Sequence, residues 1–246
     1  MPRRDRKGDD GVFSHSGDRE SLEVLPLRVR ITSILRKALL SGEFRPGQEL
    51  SLTEVAEWLG VSRTPVREAF QTLAEEDLLE LRMNRGAVVT GVDEAFIRDH
   101  FRCRIILERE AVLMAMENRG DLSELLAVQA EAERCPGMDE AAYRVYNQKI
   151  HTGIWLRSGS RKLYKLLSSL WNGPSGRAGS RDTEHEAASI REHRQLLACM
   201  EQGDREGAGR AITAHLERSM ENILENFRNM NPEAGPAEKQ KRKEAE

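Results

Sequence analysis

The chain has 246 residues, of which 39% are hydrophobic and 32% charged, and its formal net charge is −3. This balance excludes a membrane-embedded or wholly disordered protein, and at roughly 100–200 residues per domain the length suggests two domains. It also excludes DNA affinity from overall charge, so any nucleic-acid contact has to come from a local basic surface.

The N-terminal MPRRDRKGDDGVFSHSGDRE mixes charges of both signs without an apolar stretch, so it is not a signal peptide, and residues 1–21 are expected to be a disordered tail. No later run approaches a membrane span, which makes a cytoplasmic protein without membrane contact the expectation. Leu27, Ile31, Ile34, Leu35, Ala38 and Leu39 then recur at helical spacing, until SGEFRPGQEL breaks the pattern with Gly42, Pro46 and Gly47. In SLTEVAEWLG, Ser51 and Glu54 form a capping box ahead of the apolar side made by Leu52, Val55, Ala56 and Leu59, and Gly60 suits the stop. A second helix follows at once, with Val66, Ala69, Phe70 and Leu73 as its apolar side, Ser62 or Thr64 as cap and Pro65 in its first turn. Two short helices joined by a Gly-containing turn make a helix-turn-helix.

LLELRMNRGAVVT then reads as two short strands around a tip at Asn84, Arg85 and Gly86, which is a wing. From Asp93 to about Asn229 the pattern is helical, and breaks at NRGD, CPGMD, RSGS, NGPSGRAGS and EQGD separate six segments. The expected fold is mainly α: a winged helix-turn-helix DNA-binding domain at 22–92, an all-helical bundle at 93–230 and a disordered charged tail at 231–246. Cys103, Cys135 and Cys199 are odd in number with no CxxC pair, so they are expected to be buried small apolar residues and not disulfides or zinc ligands.

The second helix of a helix-turn-helix enters the major groove by its N-terminal end. Ser62, Arg63, Thr64 and Arg67 occupy that end, and the two arginines stand one turn apart on the face opposite Val66, Phe70 and Leu73. An arginine can pair with O6 and N7 of guanine, and hydroxyls can join the helix N-terminus on phosphate. Two arginines on an ordinary surface helix would only be solvated. The order of capping box, glycine turn, first-turn proline and basic wing tip favours a reader of double-stranded DNA.

The same segment resembles the winged helix of the GntR family of bacterial regulators, through GEFRPGQEL, EVAEWLGVSRTPVREAFQTLAEEDLL and NRGAVVT, over residues 27 to 92. The resemblance implies that Ser62, Arg63, Thr64 and Arg67 contact bases and phosphates and that Arg85 and Gly86 enter the minor groove. Arg is favoured in narrow minor grooves, and Gly permits close backbone approach. Thr53 stands where some relatives carry a further DNA-contacting arginine, so that contact is not expected.

In the bundle, YRVYNQKIHTGIW places Asn147 and His151 four apart on one helical face, and later helices offer His193 and His215 beside apolar residues. Three imidazoles and one oxygen can converge, a set suited to zinc, nickel or another divalent metal in a helix bundle. Each histidine alone would more often be a packing residue. The pattern resembles the Asp-x-x-x-His, His, His arrangement of the FadR-like subfamily with an FCD effector-binding domain, with Asn147 in place of the usual aspartate; this extends the resemblance to about residue 228. The substitution implies a weaker site without its own negative charge, which an anionic ligand would complete. Arg104, which the resemblance aims into the effector cavity, could instead pair with Glu108 four residues on. Arg177 in NGPSGRAGS is a weaker candidate.

The expected function is a transcriptional regulator, a repressor, that binds a palindromic operator as a homodimer and responds to a small organic acid. A metal-dependent hydrolase is the alternative, since three histidines and an open position also describe catalytic zinc, although no HExxH motif supplies a base and Glu192 and Glu108 are the only carboxylates that can be placed near the site. A third possibility is a bundle whose histidines only pack.

Overall fold

The computed structural model describes residues 25–83, 86–171 and 183–231. Helix α1 spans Leu27–Leu40, strand β1 Glu49–Leu50, α2 Leu52–Leu59, α3 Arg63–Glu75, β2 Leu79–Arg82 and β3 Gly86–Val89. The helix-turn-helix forms for local reasons. Ser51 Oγ accepts from the backbone N–H of Thr53 and Glu54 at 3.3 and 3.5 Å, and Gly60 ends α2 at a left-handed φ of 65°. Ser62 holds the N-cap position of α3 with an extended backbone, but its side chain makes no cap hydrogen bond. Val66, Ala69, Phe70 and Leu73 are buried against Ile31, Leu35, Leu39, Val55 and Leu78.

Two antiparallel strands were expected in the wing, and a third joins them. The sheet order is β1-β3-β2, with Leu50 opposite Ala87 and Leu79 opposite Val89. Asn84 and Arg85 of the wing tip lie outside the described residues.

The second part holds six helices among the described residues: α4 Glu94–Glu117, α5 Ser123–Arg134, α6 Glu140–Arg157, α7 Arg161–Leu170, α8 Thr183–Gln202 and α9 Arg205–Met230. Oxygen side chains cap the starts of four of them: Asp93, Asp139, Ser160 and Asp204 accept from Phe96, Ala142, Leu163 and Gly207 N–H. One core joins α4, α5, α6, α8 and α9 through Val112, Leu125, Ile150, Leu196 and Ile212. Two smaller clusters bring in α1: Leu25 and Val29 pack with Ala111, Trp155, Leu163 and Trp171, and Leu40 packs with Ile97, Phe101, Ile223 and Phe227. Helix α1 therefore belongs to the winged-helix core on one side and to the bundle on the other.

The cysteines differ from expectation. Cys103 and Cys135 are exposed and Cys199 is half-buried. On α4 the inward stripe is Ile97, Phe101, Arg104, Glu108, Ala111 and Val112, so the helical period turns Cys103 outward. Cys135 caps the end of α5, beyond its buried face. No described helix is long and apolar enough to cross a membrane.

Candidate functional site

Ser62, Arg63, Thr64 and Arg67 are all exposed at the N-terminal end of α3. Among the described residues neither arginine forms an ion pair, so both guanidinium groups stay available to a ligand. Gly86 is buried at φ 122°, and a Cβ there would sit 2.0 Å from the Leu50 carbonyl oxygen. Its glycine is thus required by the close approach of β1, inside the sheet. Arg85 and Arg177 lie outside the described residues.

In the bundle the structure brings His151 from α6, His193 from α8 and His215 from α9 together, with one ligand atom of each within 4.8 Å of the others. All three are buried. Each ring is held by its outer nitrogen. His151 Nδ1 is 2.6 Å from Glu108 Oε2, and His215 Nδ1 is 2.8 Å from Glu192 Oε2. His193 Nδ1 is 3.0 Å from the Tyr146 hydroxyl.

The direction of that last bond follows from its neighbours. Gln129 Nε2 donates to Glu133 Oε1 and the Ile190 carbonyl, which leaves Gln129 Oε1 to accept the Tyr146 proton at 2.6 Å. The Tyr146 oxygen has spent its proton and accepts from His193 Nδ1–H. Carboxylates take the same place at His151 and His215, so in all three rings the outer Nδ1 is the donor and Nε2 points inward.

Burial, reinforced by His215 and His151, holds His193 well below the usual imidazole range; burial also brings His215 down to about 4, against the opposing pull of Glu192. Both are therefore neutral rings at neutral pH, the form that binds metal. Burial would raise Glu192, but hydrogen bonds from His215 and Arg218 outweigh it and bring its carboxyl down to about 2. Glu108 is likewise held well below the carboxylate range, where His151 and Arg104 outweigh its burial.

His151 Nε2 and His193 Nε2 face each other at 3.3 Å. At that distance one ring can donate to the other if it carries a proton on Nε2, or the two nitrogens can share a cation. For metal–nitrogen bonds of about 2.0–2.1 Å the edge of a tetrahedron is about 3.3 Å, so the spacing suits a tetrahedral ion. Asn147 is buried and lines the same pocket as His151, His215, Arg104 and Trp171, and among the described residues no hydrogen bond engages its side chain. The donor set fits a divalent metal.

Arg104 donates to Glu108 Oε1 from Nη2 at 2.6 Å and lies over the Trp171 ring at 5.2 Å. It is buried, lines the pocket and takes the intrahelical pair at the same time. Sequence reasoning missed Tyr146, Trp171 and Arg218. The Arg218 guanidinium binds both Glu192 oxygens, Ser189 Oγ at 2.7 Å and His185 Nδ1 at 2.6 Å. Tyr146 and Arg218 stand on α6 and α9, the helices that carry His151 and His215, but they engage His193 and Glu192 of α8, and Trp171 ends α7, so their roles follow only from how the helices pack. Glu108 and Glu192, the carboxylates nearest the site, are committed to imidazoles and arginines, which leaves neither free as the base a hydrolase would need.

Comparison with known proteins agrees. Residues 27–89 match the bacterial regulatory proteins of the gntR family, and residues 99–218 match the FCD domain. An uncharacterised HTH-type transcriptional regulator in an unstable DNA locus of Streptomyces ambofaciens is 30% identical over 211 residues, 81% of this chain and 85% of that protein. The HTH-type transcriptional regulator YdhC of Bacillus subtilis is 27% identical over 205 residues, 80% of this chain and 91% of the relative. The solved structure of E. coli McbR/YncC has the same fold, with a TM-score of 0.62 at 24% identity over 83% of this chain and 100% of that one. With a winged helix and a helical bundle matched in chain order, the protein belongs to the GntR family of bacterial transcriptional regulators, carries an FCD domain, and is a regulator and not an enzyme.

Proposed function

We propose that the protein is a repressor that binds a palindromic operator as a homodimer and is released by a small organic acid recognised at a metal in the FCD domain. The observation that carries the effector half is the convergence of three imidazoles whose outer nitrogens are already engaged. Zinc or nickel would be held by His151, His193 and His215 with the Asn147 carbonyl oxygen, and when bound would supply a Lewis-acidic position for an anionic oxygen.

Charge balance supports an anionic guest. Glu108 is matched by Arg104 and Glu192 by Arg218, so the charge of a divalent ion would stand uncompensated in a buried site. A carboxylate would neutralise it, and Arg104 lines the same pocket to meet its second oxygen. The pocket as described has about 10 Å³ of free volume, room for an ion or one water. An organic acid therefore requires the walls to move, and that requirement is what would make its binding differ between two conformations.

On DNA, one α3 reads one half-site, and a twofold homodimer presents two. The test is selection of bound duplexes from a random pool by the full chain, followed by affinity measurement with Arg63→Ala. The expected result is a twofold-symmetric sequence and a loss of about 1–3 kcal/mol in the variant. Sequences without symmetry would overturn the dimeric reading, and unchanged affinity would remove Arg63 from the base contacts.

A further inference from the structure

Trp171, which ends α7, belongs to both halves of the molecule. Its ring lies 5.2 Å from the His151 ring and 5.4 Å from Trp155, and it forms a wall of the histidine pocket. Its backbone carbonyl accepts a 2.7 Å hydrogen bond from Nη1 of Arg36, on α1 of the winged helix. The same guanidinium donates to Glu76, from Nε to Oε2 at 2.8 Å and from Nη2 to Oε1 at 2.5 Å. Glu76 is the residue that ends α3, the helix whose other end carries Arg63 and Arg67.

The guanidinium is 1% exposed. A buried arginine donor that loses its acceptor is costly to leave unmet. Its planar fork fixes where the Glu76 carboxylate and the Trp171 carbonyl stand relative to each other. A shift of Trp171 must then move Arg36 and the end of α3 with it, or strand a buried donor. Apolar packing backs the link, since Leu25, just ahead of α1, and Val29, on α1, share one cluster with Trp155 and Trp171.

We propose that Trp171, Arg36 and Glu76 transmit occupancy of the histidine site to the C-terminal end of the recognition helix, with Arg36 as the positioning residue. This rests on the reading that the three histidines bind a metal. An ion held by His151 fixes the ring against which Trp171 packs, and that restraint passes through the carbonyl to Arg36 and through the carboxylate to α3. Coupling of this kind requires the metal to bind one arrangement of the link better than another.

The test uses the full chain and Zn²⁺ alone, with calorimetry for uptake and hydrogen exchange for residues 72–78. In the unmodified protein, Zn²⁺ is expected to slow exchange across this segment by about five-fold or more. Arg36→Lys keeps a charge for Glu76 without the three-donor fork; Zn²⁺ should bind it within about two-fold of the unmodified chain, and the response at 72–78 should fall below about two-fold. Should that variant fail to fold, Glu76→Gln, which weakens the joint to α3 and leaves the Trp171 bond, is read the same way. An equal response in the variant, or Zn²⁺ uptake with no response at 72–78 in the unmodified chain, would overturn the coupling alone. Absence of Zn²⁺ uptake would overturn the metal reading and this proposal with it, and the calorimetry separates the two cases.

Discussion

A histidine has two ring nitrogens, and the group that holds one decides what the other can do. At His151 and His215 the outer nitrogen meets a carboxylate, while at His193 it meets a phenol whose own proton goes to Gln129. Tyr146 is therefore as much a part of the centre as the imidazole it orients. Tyr146→Phe removes the acceptor for His193 Nδ1–H and frees the ring to adopt the other tautomer. Metal affinity in a competition titration should drop by about 10–100-fold, the usual cost of losing such a partner, with the helical signal unchanged. Affinity equal to that of the unmodified protein would show that His193 needs no such support.

At the scale of the element, most boundaries were legible because they are set by neighbours in sequence. Ser51 and Gly60 bracket α2, Asp139 opens α6, and the stripe Val66, Ala69, Phe70, Leu73 fixes the buried side of α3. Strand β1 was not legible, because Glu49 and Leu50 become a strand only by pairing with Val88 and Ala87, some forty residues on. That pairing also explains Gly86, whose missing side chain lets β3 pass the Leu50 carbonyl. Gly86→Ala meets both a left-handed φ and a contact no Cβ can make, and should destabilise the chain by about 1–3 kcal/mol or more in denaturant unfolding. Stability equal to that of the unmodified chain would mean that the wing adjusts at no cost.

Across the whole molecule, the two-part organisation followed from hydrophobic period and from the turn residues that interrupt it. The inner ring of the candidate site was visible too, since Asn147 and His151 share a face by their spacing alone. Of its outer ring only the carboxylates Glu108 and Glu192 could be placed near the site, without what each of them holds. Glu108 reaches His151 from α4, Tyr146 reaches His193 from α6, and Arg218 reaches Glu192 from α9, and these contacts exist only once the helices have packed. The same holds for the joint between domains, where Arg36 on α1 meets a carbonyl 135 positions away. Burial of so many polar groups in one place is costly unless each finds its partner, and here the carboxylates, arginines and imidazoles satisfy one another around a space fit for an ion.

Elemental analysis by mass spectrometry decides whether this space is a metal centre. The full chain is exposed to zinc or nickel, freed of excess ion by dialysis, and compared with His193→Ala treated in the same way. The expected result is about one ion per chain in the unmodified protein and little in the variant, as loss of one of three histidine ligands implies. No retained metal in the unmodified protein, or equal retention in both, would contradict it.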